Sequence, residues 1–130
     1  MKIGAIAVMP YDGAFLGIEC KKGRGIILPG GTYDPAQDRT FHDTAIREAF
    51  EECGARIGRS WPDIAEIGCW PDGGDYMTFS FFTPKWNGPV RETNEGKPIR
   101  AEWKDLLASK FGAYYLLLYQ KMKGKYEWPS

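Results

Sequence analysis

The segment AIREAFEECGA, residues 45–55, crowds Arg47, Glu48, Glu51 and Glu52 into six positions of what its neighbours read as a helix. Carboxylates in the later part of a helix gain nothing from its dipole, and like charges three or four residues apart cost about 0.2–0.5 kcal/mol each. Arg47 and Glu51 form one compensating i,i+4 pair, which leaves Glu48 and Glu52 repelling each other. A hard divalent cation resolves the conflict, because Mg²⁺ takes oxygen ligands and commonly sits between one or two carboxylates and a substrate phosphate. The preceding loop carries Gly30 and Gly31, whose backbone can approach such a cluster with no side chain in the way.

The elements that must position these groups are legible in outline. Thr40 or Asp43 can cap the helix, Ala45, Ile46, Ala49, Phe50 and Cys53 recur on one face, and Gly54 suits the C-terminal stop. At about 100° per residue the four charged residues fall opposite that face, which predicts an acidic outer side. Upstream, residues 2–9 and 14–20 read as strands joined at PYDG into a first hairpin, GIIL as a short strand, and PGGTYDPAQD as a loop. Downstream, IAEIGCW and DYMTFSFFT read as strands flanking PDGG, the second aromatic enough to be buried on both sides. A short strand around RAEW precedes helical character that begins at Lys104 or at about Phe111. Strands, helix, strands, helix predict one α/β domain over residues 1–130, with a mixed β-sheet between helices.

Composition narrows the function. A chain of 130 residues with 43% hydrophobic and 26% charged residues suits one globular domain and excludes a disordered tail. Seventeen Lys and Arg balance seventeen Asp and Glu, so no global charge favours a nucleic-acid backbone or a membrane surface, and a small-molecule partner is expected. Nothing in the sequence sets the oligomeric state. The start MKIGAIAVMPYDGAF has a short apolar run broken by Pro10 and Asp12, too little for a signal peptide or a span, so the expected address is cytoplasmic. Cys20, Cys53 and Cys69 lack CxxC or Cys/His spacing and are expected as reduced, packed thiols. His42 is expected to pack or cap at the helix start, and QKMKGK to be a solvated helix end.

Taken together, PGGTYD and REAFEECGA resemble the Nudix hydrolase family, whose box is G-x5-E-x7-R-E-U-x-E-E-x-G-U with U apolar. Arg47, Glu48, Ala49, Glu51, Glu52, Gly54 and Ala55 match every defined position of its second half. The first half departs: counted from Gly31 the box glutamate falls on Gln37, counted back from Arg47 it falls on Arg39, and Asp38 lies between. A two-residue insertion and a lost glutamate explain both counts. Downstream, WPDGGDYMTFSFFTPKWNG and EGKPIRAEW are similar to the corresponding strands and loop of MutT-type Nudix enzymes, in which the first glutamate of the second motif, here Glu95, reaches the metal and water.

The resemblance implies a Nudix-type α/β/α sandwich and Mg²⁺-dependent hydrolysis of a nucleoside diphosphate linked to another group, with Mn²⁺ as an alternative ion. It assigns Glu51 and Glu52 as ligands, Glu48 as ligand or base, Glu95 as a base or ligand, the Gly31 carbonyl as a further ligand, and Arg47 to orienting Glu51. The MutT type implies nucleoside triphosphates, some oxidised, cleaved to monophosphate and pyrophosphate. Leu28, Phe79, Trp103 and Tyr114 are candidates for the slot that holds the base. The asparagine with which MutT-type enzymes read an 8-oxopurine has no counterpart, Tyr114 falling there. Pro71, sixteen residues past the box, matches a spacing of ADP-ribose pyrophosphatases. The alternative readings are therefore an ADP-ribose or dinucleotide pyrophosphatase and a non-catalytic nucleotide-binding Nudix module.

Overall fold

Strand β1 (Lys2–Val8) is apolar on both faces, and this places it inside a sheet with a helical layer on each side. In the computed structural model, which describes residues 1–58 and 64–125, Ala5 and Ala7 face one core while Ile6 and Val8 face the other. The elements that follow are β2 (Pro10–Tyr11), β3 (Ala14–Cys20), β4 (Ile26–Ile27), β5 (Gly30–Thr32), α1 (Phe41–Cys53), β6 (Arg56–Ile57), β7 (Ala65–Pro71), β8 (Tyr76–Phe82), β9 (Trp86–Asn87), β10 (Gly96–Ala101), α2 (Trp103–Leu107) and α3 (Gly112–Met122).

The main sheet has the order β5-β1-β8-β7. It is mixed, because β1 and β8 run parallel from Lys2 opposite Tyr76 to Val8 opposite Phe82, while β5 and β7 are antiparallel to their neighbours. A second sheet, β10-β3-β2 with β4 on β3, completes the strands around the core, and β6 pairs with β9. Helix α1 packs on β1 and β5, where the alanines Ala5, Ala7, Ala45 and Ala49 allow close approach; α3 packs against β7 and α2. The fold is therefore the expected mixed α/β arrangement. Among the described residues no helix is long and apolar enough to cross a membrane.

Three local expectations are corrected. The turn at Asp12 (φ 49°) and Gly13 (φ 74°) joins only β2 to β3, and β1 does not pair with β3. Local turn chemistry sets that short hairpin, whereas the two apolar faces of β1 require a central place beside β8. The stretch PGGTYDPAQD is not all loop, since Gly30–Thr32 pairs with β1 as β5. The C-terminal helical region is two helices, with Ala108 closing α2 and Phe111 capping α3. The pairing of β6 with β9 has no counterpart in the sequence reading, two-residue strands being too short for a periodic signal.

Helix α1 is delimited as its sequence suggests. Thr40 is the N-cap, its hydroxyl accepting from Asp43 N at 3.2 Å, while Asp43 Oδ2 accepts from Thr40 N at 3.2 Å and Arg39 N at 2.9 Å. Gly54, at φ 79°, takes the left-handed conformation that ends the helix and donates to Phe50 O at 2.9 Å. Thr40→Ala should lower the stability of the protein by about 1 kcal/mol, read from urea unfolding, while Thr40→Ser should be near neutral.

Candidate active site

The guanidinium of Arg47 gathers four acceptor groups. Its Nε donates to Asp38 Oδ1 and its Nη2 to Asp38 Oδ2, both at 2.9 Å, a bidentate pair. Nη2 also donates to Thr32 O at 3.1 Å, and Nη1 to Glu48 Oε1 at 2.9 Å and Glu51 Oε2 at 3.3 Å. Asp38 is only 3% exposed and accepts further hydrogen bonds from Thr44 Oγ1 at 2.9 Å and Asp34 N at 3.0 Å. The hydrogen bonds from Arg47 hold its carboxyl down at about 2, and the same contacts raise the pKa of Arg47. Of Gln37, Asp38 and Arg39, then, it is Asp38 that the structure sets against the box arginine. Gln37 instead donates to Asp34 Oδ2 at 2.7 Å.

Glu52 is not on an outer face. It is 6% exposed, whereas Phe50, assigned by its periodicity to the apolar side, is 41% exposed and lies beneath the guanidinium groups of Arg56 and Arg91 at 5.5 and 5.1 Å. The cause is β5, which runs beside this part of α1 and carries no side chains at Gly30 and Gly31. Gly30 N donates to Glu52 Oε1 at 2.7 Å. A Cβ at Gly31 would overlap the Glu48 carboxyl group, 2.6 and 2.7 Å from its oxygens, and one at Gly30 would lie 2.5 Å from Ala5 O. Backbone contact requires glycine at position 30, while a side chain at 31 would push the Glu48 carboxyl group aside.

Burial pushes the Glu52 carboxyl up to about 8, against the Gly30 hydrogen bond, and the charges of Glu48 and Glu95 add to the rise. Glu48 is raised by burial too, with Arg47 opposing and Glu51 and Glu95 adding. Glu51 is the exposed member of the group. Glu95 reaches this neighbourhood because its loop is tied to the last carbonyls of α1. Thr93 Oγ1 donates to Glu52 O at 2.7 Å and Arg91 N to Cys53 O at 2.8 Å, while Glu95 N donates to Thr93 Oγ1 at 3.2 Å.

The oxygens that the family resemblance offers an ion are the carboxylates of Glu48, Glu51, Glu52 and Glu95 and the carbonyl of Gly31. Among the described residues no group of three or more His, Cys, Asp or Glu side chains is placed to hold a metal ion. An all-oxygen set is the chemistry that a hard ion such as Mg²⁺ takes. A cavity of about 580 Å³ opens beside Glu52. Leu28 and Tyr114 are in its wall; Phe79 stacks on Phe41 at 4.6 Å and Trp103 packs edge-on to Phe15 at 4.7 Å, and neither lines it. Arg24, Lys110 and Asp72 also line the cavity, though none is among the site candidates read from the sequence, where Asp72 stands only within the WPD motif.

His42 packs its ring against Phe81, 4.3 Å between centroids, and all three cysteines are free thiols, Cys20 and Cys53 buried. Asp38→Ala should destabilise the protein by about 1–3 kcal/mol, by removing the bidentate partner of Arg47 and the acceptor of Thr44 Oγ1. The folded pKa of Asp38 lies below its ordinary 3.8, so its contribution is complete above 3.8 and is lost as pH falls toward about 2. Asp38→Asn should flatten that part of an acid unfolding curve. Glu52 has the opposite sign: its folded value of about 8 lies above the ordinary 4.5, so the metal-free protein should lose stability as pH rises from 4.5 to about 8. Urea titrations of Glu52→Gln across that range should lack the slope.

Comparison with known proteins agrees with this fold. The chain has a fold similar to a MutT protein of Bacillus halodurans (16% identity, TM-score 0.71, covering 92% of this chain and 80% of that one). A nudix hydrolase family member of Chromobacterium violaceum is similar as well (17% identity, TM-score 0.72, coverage 98% and 81%). So is the NUDIX domain of Shewanella oneidensis NrtR, solved with ADP ribose (16% identity, TM-score 0.69, coverage 92% and 84%). Compared by sequence with curated proteins, the chain has no match. The NUDIX domain family matches residues 1–113, nearly the whole described chain with its glycine strand, carboxylate helix and Glu95 loop, and the protein therefore belongs to the Nudix hydrolases.

Proposed function

We infer that this Nudix hydrolase cleaves the pyrophosphate bond of nucleoside triphosphates, canonical or oxidised, to a monophosphate and pyrophosphate, with Mg²⁺ as its ion and Mn²⁺ as a substitute. It acts as a single domain over residues 1–130 and in the cytoplasm. One observation carries the reading: the buried Glu52, with Glu48 and Glu95 close enough to raise it, stands at a cavity whose wall also holds the cations Arg24 and Lys110. A polyphosphate is the ligand that brings phosphate oxygens to both the ion and the cations.

The roles follow from what each side chain touches. Arg47 fixes Glu48 and Glu51 by direct hydrogen bonds, and Gly30 N fixes Glu52, so these ligands are pre-set before substrate arrives. Glu48, Glu51, Glu52 and the carbonyl of Gly31 would hold the ion, which when bound would neutralise phosphate charge and lower the pKa of water. Glu95, or Glu48, takes the proton from the attacking water. Arg24 and Lys110 bind phosphate oxygens of the substrate, and Leu28 and Tyr114 flank its base. Attack at phosphorus then rests mainly on positioning and charge neutralisation.

A second reading, hydrolysis of ADP-ribose or a dinucleotide, is favoured by the likeness to the NrtR domain solved with ADP ribose. The test is a screen of purified protein with Mg²⁺ and with EDTA against triphosphates, ADP-ribose and dinucleotides, resolving products by chromatography. Monophosphate plus pyrophosphate is the expected result; cleavage confined to ADP-ribose or dinucleotides would establish the second reading. No metal-dependent turnover would make the protein a binding module. Glu51→Gln and Glu52→Gln should each lower turnover about hundredfold or more while keeping the fold by circular dichroism.

A further inference from the structure

The cavity beside Glu52 is electrically two-ended. At the catalytic end, the charge of Arg24 acts on Glu52, and Lys110 N donates to Arg24 O at 2.9 Å. At the other end is the hairpin between β7 and β8, residues 72–75, whose Asp72 and Asp75 both line the cavity. Gly73, at φ 96°, makes the turn. Asp72 Oδ1 accepts from Gly74 N at 2.9 Å, which fixes the carboxylate and leaves Oδ2 without a hydrogen bond among the described residues. Asp72 lies close enough to Tyr114 for its charge to act on that hydroxyl.

The phenols around the cavity are already engaged. Tyr114 donates to Thr78 O at 2.9 Å and is hydrogen-bonded to Ser80 Oγ; Tyr76 is paired with Thr32 Oγ1 at 2.7 Å; Tyr115 accepts from Leu28 N at 2.9 Å. The Asp72 and Asp75 carboxylates, acceptors only, set the charge of this end, beside the Thr78 hydroxyl, the Thr32–Tyr76 hydroxyl pair and the turn backbone. That charge repels phosphate, which the cationic end attracts, so the field orients a nucleotide with its base toward the hairpin. A base carbonyl there would set lone pairs against Asp72; an amino group would donate to it.

We propose that Asp72 is a specificity-determining residue that accepts a hydrogen bond from the exocyclic amino group of the substrate's base. The substrate class narrows to amino-bearing nucleotides, with uracil, thymine and hypoxanthine disfavoured. This rests on the reading that a nucleotide occupies the cavity. A site built to pair a substrate N–H rejects the analogue that lacks it.

Two matched pairs isolate the group: CMP against UMP, and GMP against IMP, titrated in EDTA by calorimetry so that binding is read without turnover. In whichever pair binds, the amino member should bind about tenfold more tightly to the wild type. Asp72→Asn and Asp72→Ala should bring the ratio to about one, with the fold of both variants checked by circular dichroism. No preference in the wild type, or a preference that persists in Asp72→Ala, overturns the proposal. The corresponding triphosphates are then assayed with Mg²⁺. Discrimination in binding without hydrolysis would leave the role of Asp72 standing and remove the catalytic reading. Hydrolysis without discrimination would do the reverse, and failure of every nucleotide both to bind in EDTA and to be hydrolysed with Mg²⁺ would overturn both.

Discussion

Four carboxylates on or beside one helix need a counter-charge, and Arg47 supplies it. A lysine at this position would neutralise one partner as a point charge, whereas the planar fork binds Asp38 along one edge and reaches Glu48 and Glu51 with the remaining nitrogen. Because Asp38 belongs to the loop ahead of α1, and Thr32 O to the end of β5, the same guanidinium also sets the path of the chain from strand to helix. Glu48, Glu51 and the loop that carries Asp38 are held by a single side chain. The cost of ordering Arg47 is met by several charge-assisted contacts at once.

The second constraint is distance of approach. Glu52 and Glu48 come close to a β-strand only because that strand is glycine at positions 30 and 31, and α1 comes close to the sheet only because Ala5, Ala7, Ala45 and Ala49 are small. The two conditions serve one end. A larger residue in either set would move the helix outward and separate the carboxylates from the backbone they face.

The limits of α1 are legible in the sequence, because capping depends on residue types a few positions apart: Thr40 with Asp43 at one end, Gly54 at the other. The mixed α/β class is legible for a related reason, the order of periodic segments. What fails is anything set by long-range partners. The angular count puts Glu52 outside and Phe50 inside, but a wheel drawn for α1 alone contains neither the Gly30 amide that draws Glu52 in nor the Arg56 and Arg91 groups that cover Phe50. Asp38 is hidden in the same way, since the spacing to Arg47 differs from the family box and only the folded loop shows which side chain arrives. Of the base-slot candidates, Leu28 and Tyr114 share the cavity wall while Phe79 and Trp103 belong to packing, a distinction that hydrophobicity does not encode.

The loop that carries Glu95 hangs from the end of α1 through Thr93 and Arg91, so the carboxylates on the helix and the one beyond it share a single mechanical frame. Among the described residues no hydrogen bond joins residues 72–75 to α1; the hairpin is attached through its own strands, a bond from Lys2 N to Asp75 O at 2.9 Å and, next to it, the pairing of Tyr76 with Thr32 Oγ1. On the proposed function, the groups for chemistry sit on α1 and the loop tied to it, and the group for selectivity sits on the hairpin. A chain built this way can change length or charge at 72–75 with little effect on the α1 carboxylates, which gives evolution a place to change ligands at little risk to catalysis.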